Sequence, residues 1–340
     1  MAEAFGPYCL LEALATGGMG EVFLALDPRD DLCVIKRILS GRDDDPEFQT
    51  MFVAEGRLLE RFDHPHIARV HRVGEVEGRA FIEMEYVPGI GLRELLDVLE
   101  QEGKRLPGRL ALDVTAQVLD GLDHAHQGTD GFDRPLSVVH KDVNPQNVLL
   151  DWNGDVRLID FGIAHSEEEA VEVGNGTVKG KFAYMSPEQS AAEPLDRRSD
   201  IFSSGILLRQ LATLENPFAR PQVILTLEAI QSLEPEPLAR RFPELAALDP
   251  VLRKALRKEP DRRYATAKDM RRALADVRPR LPEAPQSLAE VIEHFFGARR
   301  LGMESRLGVE RLDRAVVRRR NSTPPSPMVR RGFLARLKRS

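Results

Sequence analysis

The sequence predicts an α+β fold in which a small, mainly antiparallel β part precedes a larger, mainly α-helical part. Between residues 8 and 87, short β-branched and aromatic runs alternate with turn residues, which is typical of strands. A helical spacing of apolar residues interrupts these runs only around Phe48–Phe62. After Pro88 the apolar residues recur at helical spacing, first from Leu92 and again from Leu110. This change of period divides the chain into its two predicted parts.

Length and composition indicate a soluble globular protein with a sizeable core. Of the 340 residues, 42% are hydrophobic and 30% are charged. No apolar run approaches the roughly 18–20 residues of a membrane-spanning helix, and the first residues lack the pattern of a secretion signal. The only cysteines, Cys9 and Cys33, fit a reducing compartment. We therefore expect a cytoplasmic protein without a transmembrane segment.

The charge of the chain is unevenly distributed. Residues 299–340 contain 13 Lys or Arg and 3 Asp or Glu, a net charge of +10, whereas the remainder carries −16 and the whole chain −6. This contrast predicts a basic C-terminal segment that contacts either the acidic body or an anionic partner. The sequence contains no specific nucleic-acid-binding motif and no cysteine cluster of the zinc-binding type.

A glycine-rich turn, T-G-G-M-G, joins two predicted strands, Tyr8–Ala15 and Glu21–Leu26. Glycine lets the backbone approach other groups closely and reach positive φ, so a turn of this kind can lie over phosphate groups. An ordinary hairpin turn explains the same residues equally well.

Lys36 ends the β-branched segment C-V-I-K. A lysine at the end of a buried strand needs a partner, because burying a lone ammonium group is costly. Glu55, on the helix predicted around Phe48–Phe62, is the candidate. Taken alone, each of the two residues is equally compatible with an exposed position at the surface. The predicted pair therefore rests on the spacing of Lys36 and Glu55 and on the other motifs of the chain.

The strongest functional pattern is the stretch Val139–Leu150, V-H-K-D-V-N-P-Q-N-V-L-L. Asp142 precedes Asn147 in it, and Asp160 opens a D-F-G sequence farther on. The Asn-Gly pair of D-W-N-G predicts a tight hairpin that brings Asp160 beside Asn147. Two carboxylates and an amide in this arrangement suit the binding of a metal-bound triphosphate next to a hydroxyl group.

These segments occur in the order found in protein kinases, and residues 8–278 resemble that family. The resemblance rests on the glycine-rich turn, Lys36, Glu55, H-x-D-x-x-x-x-N, D-F-G, S-P-E at 186–188, Asp200 in D-x-F-x-x-G, and Arg263. The segment G-T-V-K-G-K-F-A-Y-M is similar to that of bacterial eukaryotic-like (Hanks-type) serine/threonine kinases, in particular the myxobacterial ones.

The resemblance implies a two-lobed kinase fold that binds ATP with Mg²⁺, or with Mn²⁺ in its place. It implies the transfer of phosphate to serine or threonine of protein substrates, including the chain itself, in bacterial signalling. Asp142 would be the catalytic base, Lys36 would hold the α- and β-phosphates, and Asn147 and Asp160 would bind the metal. The other implied nucleotide contacts are Ala15, Gly17, Gly18, Gly20, Val22, Val34, Glu55, Leu149, the gatekeeper Met84, and the hinge residues Glu85 and Val87. Asp200 would support the catalytic loop, which is the segment H-x-D-x-x-x-x-N that contains Asp142. Glu188 would pair with Arg263.

Three positions depart from the family. Lys141 replaces an arginine that can clamp a phosphorylated activation loop, and a lysine offers only a point charge. Thr177 is the candidate for modification in that loop. Asn144 stands where serine/threonine kinases usually have a lysine that contacts the γ-phosphate, and Lys181 replaces a nearby threonine.

We hypothesise that Lys181 supplies the cation missing at Asn144 and is therefore catalytic. An orientation of Lys181 toward solvent or toward an acidic substrate is the alternative. Ala15 stands where the glycine-rich turn of the family has its first glycine. Together with Asn144 and Lys181, it keeps open a pseudokinase that acts as a nucleotide-binding scaffold. A kinase for small molecules is a third alternative, although the S-P-E segment favours a protein substrate.

The predicted organisation has four parts. Residues 1–87 form the first lobe, 88–278 the second lobe, 279–298 an amphipathic helix packed on the second lobe, and 299–340 a basic, flexible tail. Ser287-x-x-Glu290 predicts the start of that helix. Its predicted apolar face consists of Leu288, Val291, Ile292, Phe295 and Phe296. Residues 301–317 are expected to be weakly helical.

Overall fold

The computed structural model describes residues 3–17, 20–39, 45–129, 132–161 and 181–320. Gly18 and Thr177, both singled out by the sequence, lie outside these ranges, as do residues 321–340. Packing divides the chain into two compact units, Met1–Gly297 and Ala298–Ser340.

The first lobe is a six-stranded antiparallel sheet with one helix. Its strand order is β1-β2-β3-β4-β6-β5. The strands are β1 Glu3–Phe5, β2 Tyr8–Gly17, β3 Gly20–Leu26, β4 Leu32–Arg37, β5 Val70–Val76 and β6 Arg79–Glu85. Helix α1, Pro46–Leu59, begins where the Asp45 carboxylate accepts a hydrogen bond from the backbone nitrogen of Glu47 at 3.0 Å. It ends at Leu59 rather than at the predicted Phe62, and β1 was not predicted.

The second lobe combines a small sheet with helices. Its strands, in the order β7-β8-β9, are β7 Gly89–Gly91, β8 Val148–Asp151 and β9 Val156–Leu158. Its helices are α2 Leu92–Gln101, α3 Gly108–His126, α4 Pro187–Ser190, α5 Arg198–Thr213, α6 Val223–Ser232, α7 Asp249–Ala255 and α8 Ala267–Val277. The two-lobed α+β fold predicted from the sequence is confirmed.

One hydrophobic core runs through both lobes. Phe52 of α1 and Ile82 of β6 belong to the same buried cluster as Leu119 of α3 and Phe202 of α5. The connection from α1 to β5 joins the lobes directly, because Ala68 donates a backbone hydrogen bond to the carbonyl of Leu158 at 2.9 Å. The two lobes therefore share a continuous hydrophobic core.

A single helix, α9 Leu288–Arg320, follows the second lobe and extends across both compact units. Its predicted capping box is present, because the Ser287 hydroxyl accepts from the Glu290 nitrogen at 3.2 Å and the Ser287 nitrogen donates to the Glu290 carboxylate at 2.7 Å. The helix continues to Arg320, whereas only weak helicity was expected beyond residue 301. Within the described part of the chain, no helix has the length and apolar character needed to cross a bilayer.

Gly89, in β7, gives a test of the packing between the small sheet and its neighbours. A Cβ atom at Gly89 would lie 1.9 Å from the carbonyl oxygen of Leu150, whereas one at Gly91 would meet nothing closer than 3.5 Å. We expect Gly89→Ala to lower the free energy of unfolding by about 1–3 kcal/mol or more, since overpacking forces the backbone to shift. Gly91→Ala, in the same strand, should cost less than about 1 kcal/mol. Urea unfolding of both variants checks this, and equal losses would contradict it.

Candidate active site

The strand register places five predicted nucleotide contacts on one face of the large sheet. Val22 lies directly opposite both Ala15 and Lys36, and Val34 lies directly opposite Met84. Directly opposed residues share a face, as do residues two apart in one strand. Since Val34 and Lys36 are two apart, all five side chains lie on the same side. This face has an ammonium group at one point and apolar side chains elsewhere, as an adenine nucleotide requires.

The described part of the glycine-rich turn is the end of a hairpin, in which Gly17 pairs with Gly20. A Cβ atom at Gly20 would lie 2.2 Å from the carbonyl oxygen of Arg37, so packing within the sheet already requires a glycine there. Gly17 has open space around it. Close packing therefore explains Gly20, and access for a ligand is compatible with Gly17.

Lys36 is buried and held between two carboxylates. Its Nζ donates to Asp160 Oδ1 at 2.7 Å and lies 3.8 Å from Glu55 Oε1. The pair with Glu55 was predicted, but Asp160 is the nearer partner. Burial lowers the pKa of Lys36, yet the two carboxylates outweigh this effect and the net pKa lies above its ordinary value. The ammonium group is therefore charged and fixed between β4, α1 and the end of the hairpin β8–β9.

Met84 and Glu85 end β6 where the chain passes from the first lobe to the second. The backbone nitrogen of Glu85 donates to the carbonyl of Arg69 at 2.8 Å. Val87 is buried just beyond, and Leu149 of β8 is half-buried. The predicted hinge therefore lies at the end of β6, the strand that pairs with β4, which carries Val34 and Lys36.

Asp142 is held in one orientation by three side chains. Its Oδ1 accepts from Asn144 Nδ2 at 2.6 Å. Its Oδ2 accepts from Asn147 Nδ2 at 2.9 Å and from Lys181 Nζ at 2.7 Å. The structure thus brings the proposed base together with an amide that was expected and a lysine that was hypothesised. The role of Asn144 was missed, since the sequence showed it only as a lost lysine.

The loop that contains Asp142 is anchored by Asp200 of α5. This buried carboxylate accepts from the backbone nitrogens of His140 and Lys141 at 2.8 and 2.9 Å and is 2.7 Å from His126 Nε2. Burial raises the pKa of Asp200, but the hydrogen bonds and charges of its partners outweigh this and hold the pKa below its usual range. The predicted support of the catalytic loop by Asp200 is present. The contact with His126 was missed, because its position near a helix end indicated only packing or capping.

The hairpin β8–β9 brings Asn147 and Asp160 together as predicted. Its strands pair Val148 with Leu158, and the nitrogen of Ile159 donates to the carbonyl of Asn147 at 3.1 Å. Asp160 has φ +52°, a left-handed conformation that costs energy for a residue other than glycine. Desolvation raises the pKa of Asp160, but Lys36 and, to a smaller extent, Lys181 outweigh it and hold the pKa below its usual range. Asp160 is therefore ionised next to two cations.

The predicted pair Glu188–Arg263 lies in the second lobe and is buried. Arg263 Nη1 and Nη2 donate to the two carboxylate oxygens of Glu188 at 2.6 and 2.7 Å. Ser199 Oγ adds a third donor at 2.6 Å. The neighbouring residue Gln189 donates from Nε2 to the carbonyl of Lys141 at 2.7 Å, a link to the catalytic loop that the sequence did not indicate.

Together these contacts define the class of protein. A two-lobed fold holds a buried lysine paired with Asp160 and, in the same electrostatic neighbourhood, the Asp142 carboxylate fixed by polar neighbours. This arrangement can hold a polyphosphate and position a hydroxyl group for phosphoryl transfer. The fold and the site are those of a protein kinase.

Comparison with known proteins gives the same answer. The family described as "Protein kinase domain" matches residues 8–274. The chain is 37% identical over 279 residues to the tyrosine-protein kinase MasK of Myxococcus xanthus, covering 81% of this chain and 43% of MasK. It is 34% identical over 295 residues to the serine/threonine-protein kinase PknB of Mycolicibacterium smegmatis, covering 83% and 45% of the two chains. The Mycobacterium tuberculosis PknI kinase domain has a TM-score of 0.61 at 29% identity, covering 81% of this chain and 98% of that domain.

The chain belongs to the protein kinase family, whose members use ATP with a divalent metal. The resemblance to bacterial members, a myxobacterial kinase among them, is confirmed. The chain spans less than half the length of these two curated relatives. Their names differ in the hydroxyl group that is phosphorylated, tyrosine for MasK and serine or threonine for PknB.

His140 gives a test of how the catalytic loop contributes to stability. It is fully buried against the Phe161 ring, with centroids 4.4 Å apart, and burial lowers its pKa although nearby carboxylates such as Asp200 act in the opposite direction. The unfolded chain therefore binds more protons below about pH 6.5, so stability is full above that pH and falls below it, by up to about 1.4 kcal/mol per pH unit. Urea unfolding at several pH values should show a smaller loss on acidification in His140→Gln than in the wild type. The matched control is the exposed His71→Gln, and a wild-type slope in His140→Gln would contradict this assignment.

Proposed function

We propose that this chain transfers the γ-phosphoryl group of ATP to serine or threonine hydroxyls of proteins, itself included, as part of bacterial signalling. The observation that carries the proposal is the Asp142 carboxylate, fixed by three donors and close enough to the Lys36–Asp160 pair to act electrostatically on Asp160. Asp142 would orient the acceptor hydroxyl and take up its proton, help that is worth about 10²–10⁴ in rate.

The residues fit a metal-bound nucleotide. Asn147 uses its Nδ2 group to donate to the carbonyl and the carboxylate of Asp142, at 2.8 and 2.9 Å, which leaves its amide oxygen as the group that can bind a cation. Asp160 supplies ionised carboxylate oxygen, so both donors are of the type that Mg²⁺ prefers. Among the described residues no group of three or more His, Cys, Asp or Glu is placed to hold a metal. We therefore expect the ion to be held by Asn147, Asp160 and the nucleotide's own oxygens.

When bound, the metal would neutralise the negative charge of the phosphates that approach Asp142. The chain's own residues do the remaining positioning. Lys36 would bind the inner phosphates while Glu55 keeps its ammonium group in place, and the apolar face with Val22, Val34 and Met84 would cover the adenine. Mg²⁺ is our choice over Mn²⁺ because it is the usual partner of ATP.

Lys181 would add a second cation at the reacting phosphate. Its Nζ lies 2.7 Å from the base, and its charge also lowers the pKa of Asp160. Asn144 is buried and uses its amide group on the Asp142 carboxylate and on the backbone nitrogen of Gln146. We propose that the cation which many kinases place at position 144 is supplied here from position 181.

A protein substrate is supported by the rigid segment that ends in Glu188. The buried pair with Arg263 fixes this segment, and Gln189 ties it to the catalytic loop. A kinase for small molecules would have no evident use for this firmly held surface beside the base. The basic segment 299–340 supports a separate expectation of an anionic partner, although its last residues lie outside the described ranges.

Two alternatives rest on specific observations. The name of MasK makes tyrosine the alternative acceptor. The unusual residues Ala15, Asn144 and Lys181 favour, as the other alternative, a scaffold that binds nucleotide without turnover. A cytoplasmic location stays a prediction.

Labelled Mg-ATP tests the proposal, with the purified chain and a generic basic protein as acceptors. We expect incorporation on serine and threonine by the wild type, and loss of about 10²-fold or more in Asp142→Asn, because the amide cannot take up the proton. The exposed Asp155→Asn, on the hairpin turn, is the matched control and should keep wild-type activity. Bound ATP without transfer would select the scaffold, and phosphotyrosine as the main product would show the acceptor class to be wrong.

Exchanging the residues at 144 and 181 tests the role of Lys181. We expect Lys181→Ala to lower kcat by about 10²-fold, the scale for losing one electrostatic stabiliser of a transition state. Lys181→Thr should behave similarly, and adding Asn144→Lys should restore part of the lost activity by returning a cation to the site. The exposed Lys268→Ala is the matched control. Unchanged phosphoryl transfer in Lys181→Ala would refute the exchange.

A further inference from the structure

The first turns of α9 contact the hairpin β8–β9, although they lie beyond the kinase-family match at residues 8–274. Gly154, in the hairpin turn, has φ +86°, and a Cβ atom there would lie 3.1 Å from Leu288 Cβ and 3.2 Å from the nitrogen of Ala289. The helix therefore touches the turn through the helix backbone and its first side chain. Leu288 and Ile292 are both buried in the main core at this place.

The start of α9 is held in position by its own cap and by the second lobe. The Ser287–Glu290 capping box fixes its first turn. Upstream, Arg109 of α3 donates from Nε to the carbonyl of Leu281 at 3.1 Å and pairs with Glu283 at 3.1 Å. The chain is thus anchored before and at the point where it meets the hairpin turn.

The same hairpin positions the proposed metal-binding residues. Asn147 directly precedes β8 and Asp160 closely follows β9, so both lie at the open end of the hairpin and Gly154 lies at its closed end. The turn is also tied to the hinge, because the nitrogen of Trp152 donates to the carbonyl of Pro88 at 3.2 Å. A shift of the turn would therefore move both metal ligands and the hinge.

We propose that Leu288–Gly297, which we call the brace, holds the hairpin turn and so positions Asn147 and Asp160 for the metal-bound nucleotide. The brace is a positioning element, and Leu288 is its contact residue. The inference rests on the proposed function for its metal and nucleotide, but it assigns a part in the site to residues outside the kinase domain match.

Leu288→Ala and Phe295→Ala make a matched pair, because both shorten an apolar side chain on the same side of α9. Phe295 lies about 10 Å farther along the helix axis than Leu288, and its ring centroid is 5.3 Å from Lys104 Nζ. The measurement is the Kd of the full chain for ATP with Mg²⁺ and for ATP in EDTA, at a temperature where both variants are folded. Thermal midpoints and kcat and KM for ATP are measured beside it.

We expect Leu288→Ala to raise the Kd for Mg-ATP by about 10-fold, the lower end of the loss seen when support behind a metal ligand is removed. The Kd in EDTA should change less, and Leu288→Met should restore most of the Mg-ATP affinity. Phe295→Ala should lower the thermal midpoint without this selective loss.

An unchanged Mg-ATP affinity in Leu288→Ala, or equal losses of that affinity in both alanine variants, would overturn the proposed role of the brace. If Leu288→Ala does not fold, Leu288→Val removes less volume and is read in the same way. A wild-type chain that binds Mg-ATP but transfers no phosphate would refute the proposed kinase activity. The binding measurements would then still decide whether the brace positions the metal-binding residues. A wild-type chain that does not bind Mg-ATP would overturn both.

Discussion

The catalytic loop depends on one buried carboxylate, Asp200. A lone carboxylate with 1% exposure would cost several kcal/mol to bury, and the donors from His140, Lys141 and His126 offset this cost. They also hold Lys141 at φ +65°, a conformation that only a firmly fixed backbone maintains outside glycine. The position of Asp142 therefore depends on a group 60 residues away in the sequence from His140.

The peptide groups around Lys141 are fixed from two sides, which couples the catalytic loop to helices α4 and α5 of the same lobe. Asp200 accepts from the nitrogen of Lys141, and Gln189 donates to its carbonyl. Gln189 in turn follows Glu188, whose buried pair with Arg263 would cost about 3–5 kcal/mol if broken at one end. This part of the second lobe is thus connected to the residue before Asp142 by a short series of hydrogen bonds.

Local patterns predicted the contacts that one element produces, and the family resemblance predicted the distant pair Glu188–Arg263 and the support of the catalytic loop by Asp200. The contacts that were missed depend on packing between distant elements and had no such motif. Asn147 and Asp160 meet because a single tight hairpin separates them. Lys36 and Asp160 are 124 residues apart, and His126 and Asp200 are 74 apart, so neither contact leaves a local pattern. The two lobes were predictable because each has a clear period over many residues. Strand β1 is too short to show one, and the basic half of α9 has no continuous apolar face.

The residues at 144 and 181 constrain each other through the charge on Asp142. The carboxylate already has one ammonium group at 2.7 Å, from Lys181, and an amide at 2.6 Å, from Asn144. A lysine at 144 would bring a second ammonium group to the same carboxylate. Two like charges at such a short distance repel each other strongly where water is partly excluded. A neutral residue at both positions would leave the Asp142 carboxylate with its amide donors but without the ammonium group of Lys181. The neutral amide at 144 is therefore the physical counterpart of the lysine at 181, and either residue is understood only together with the other.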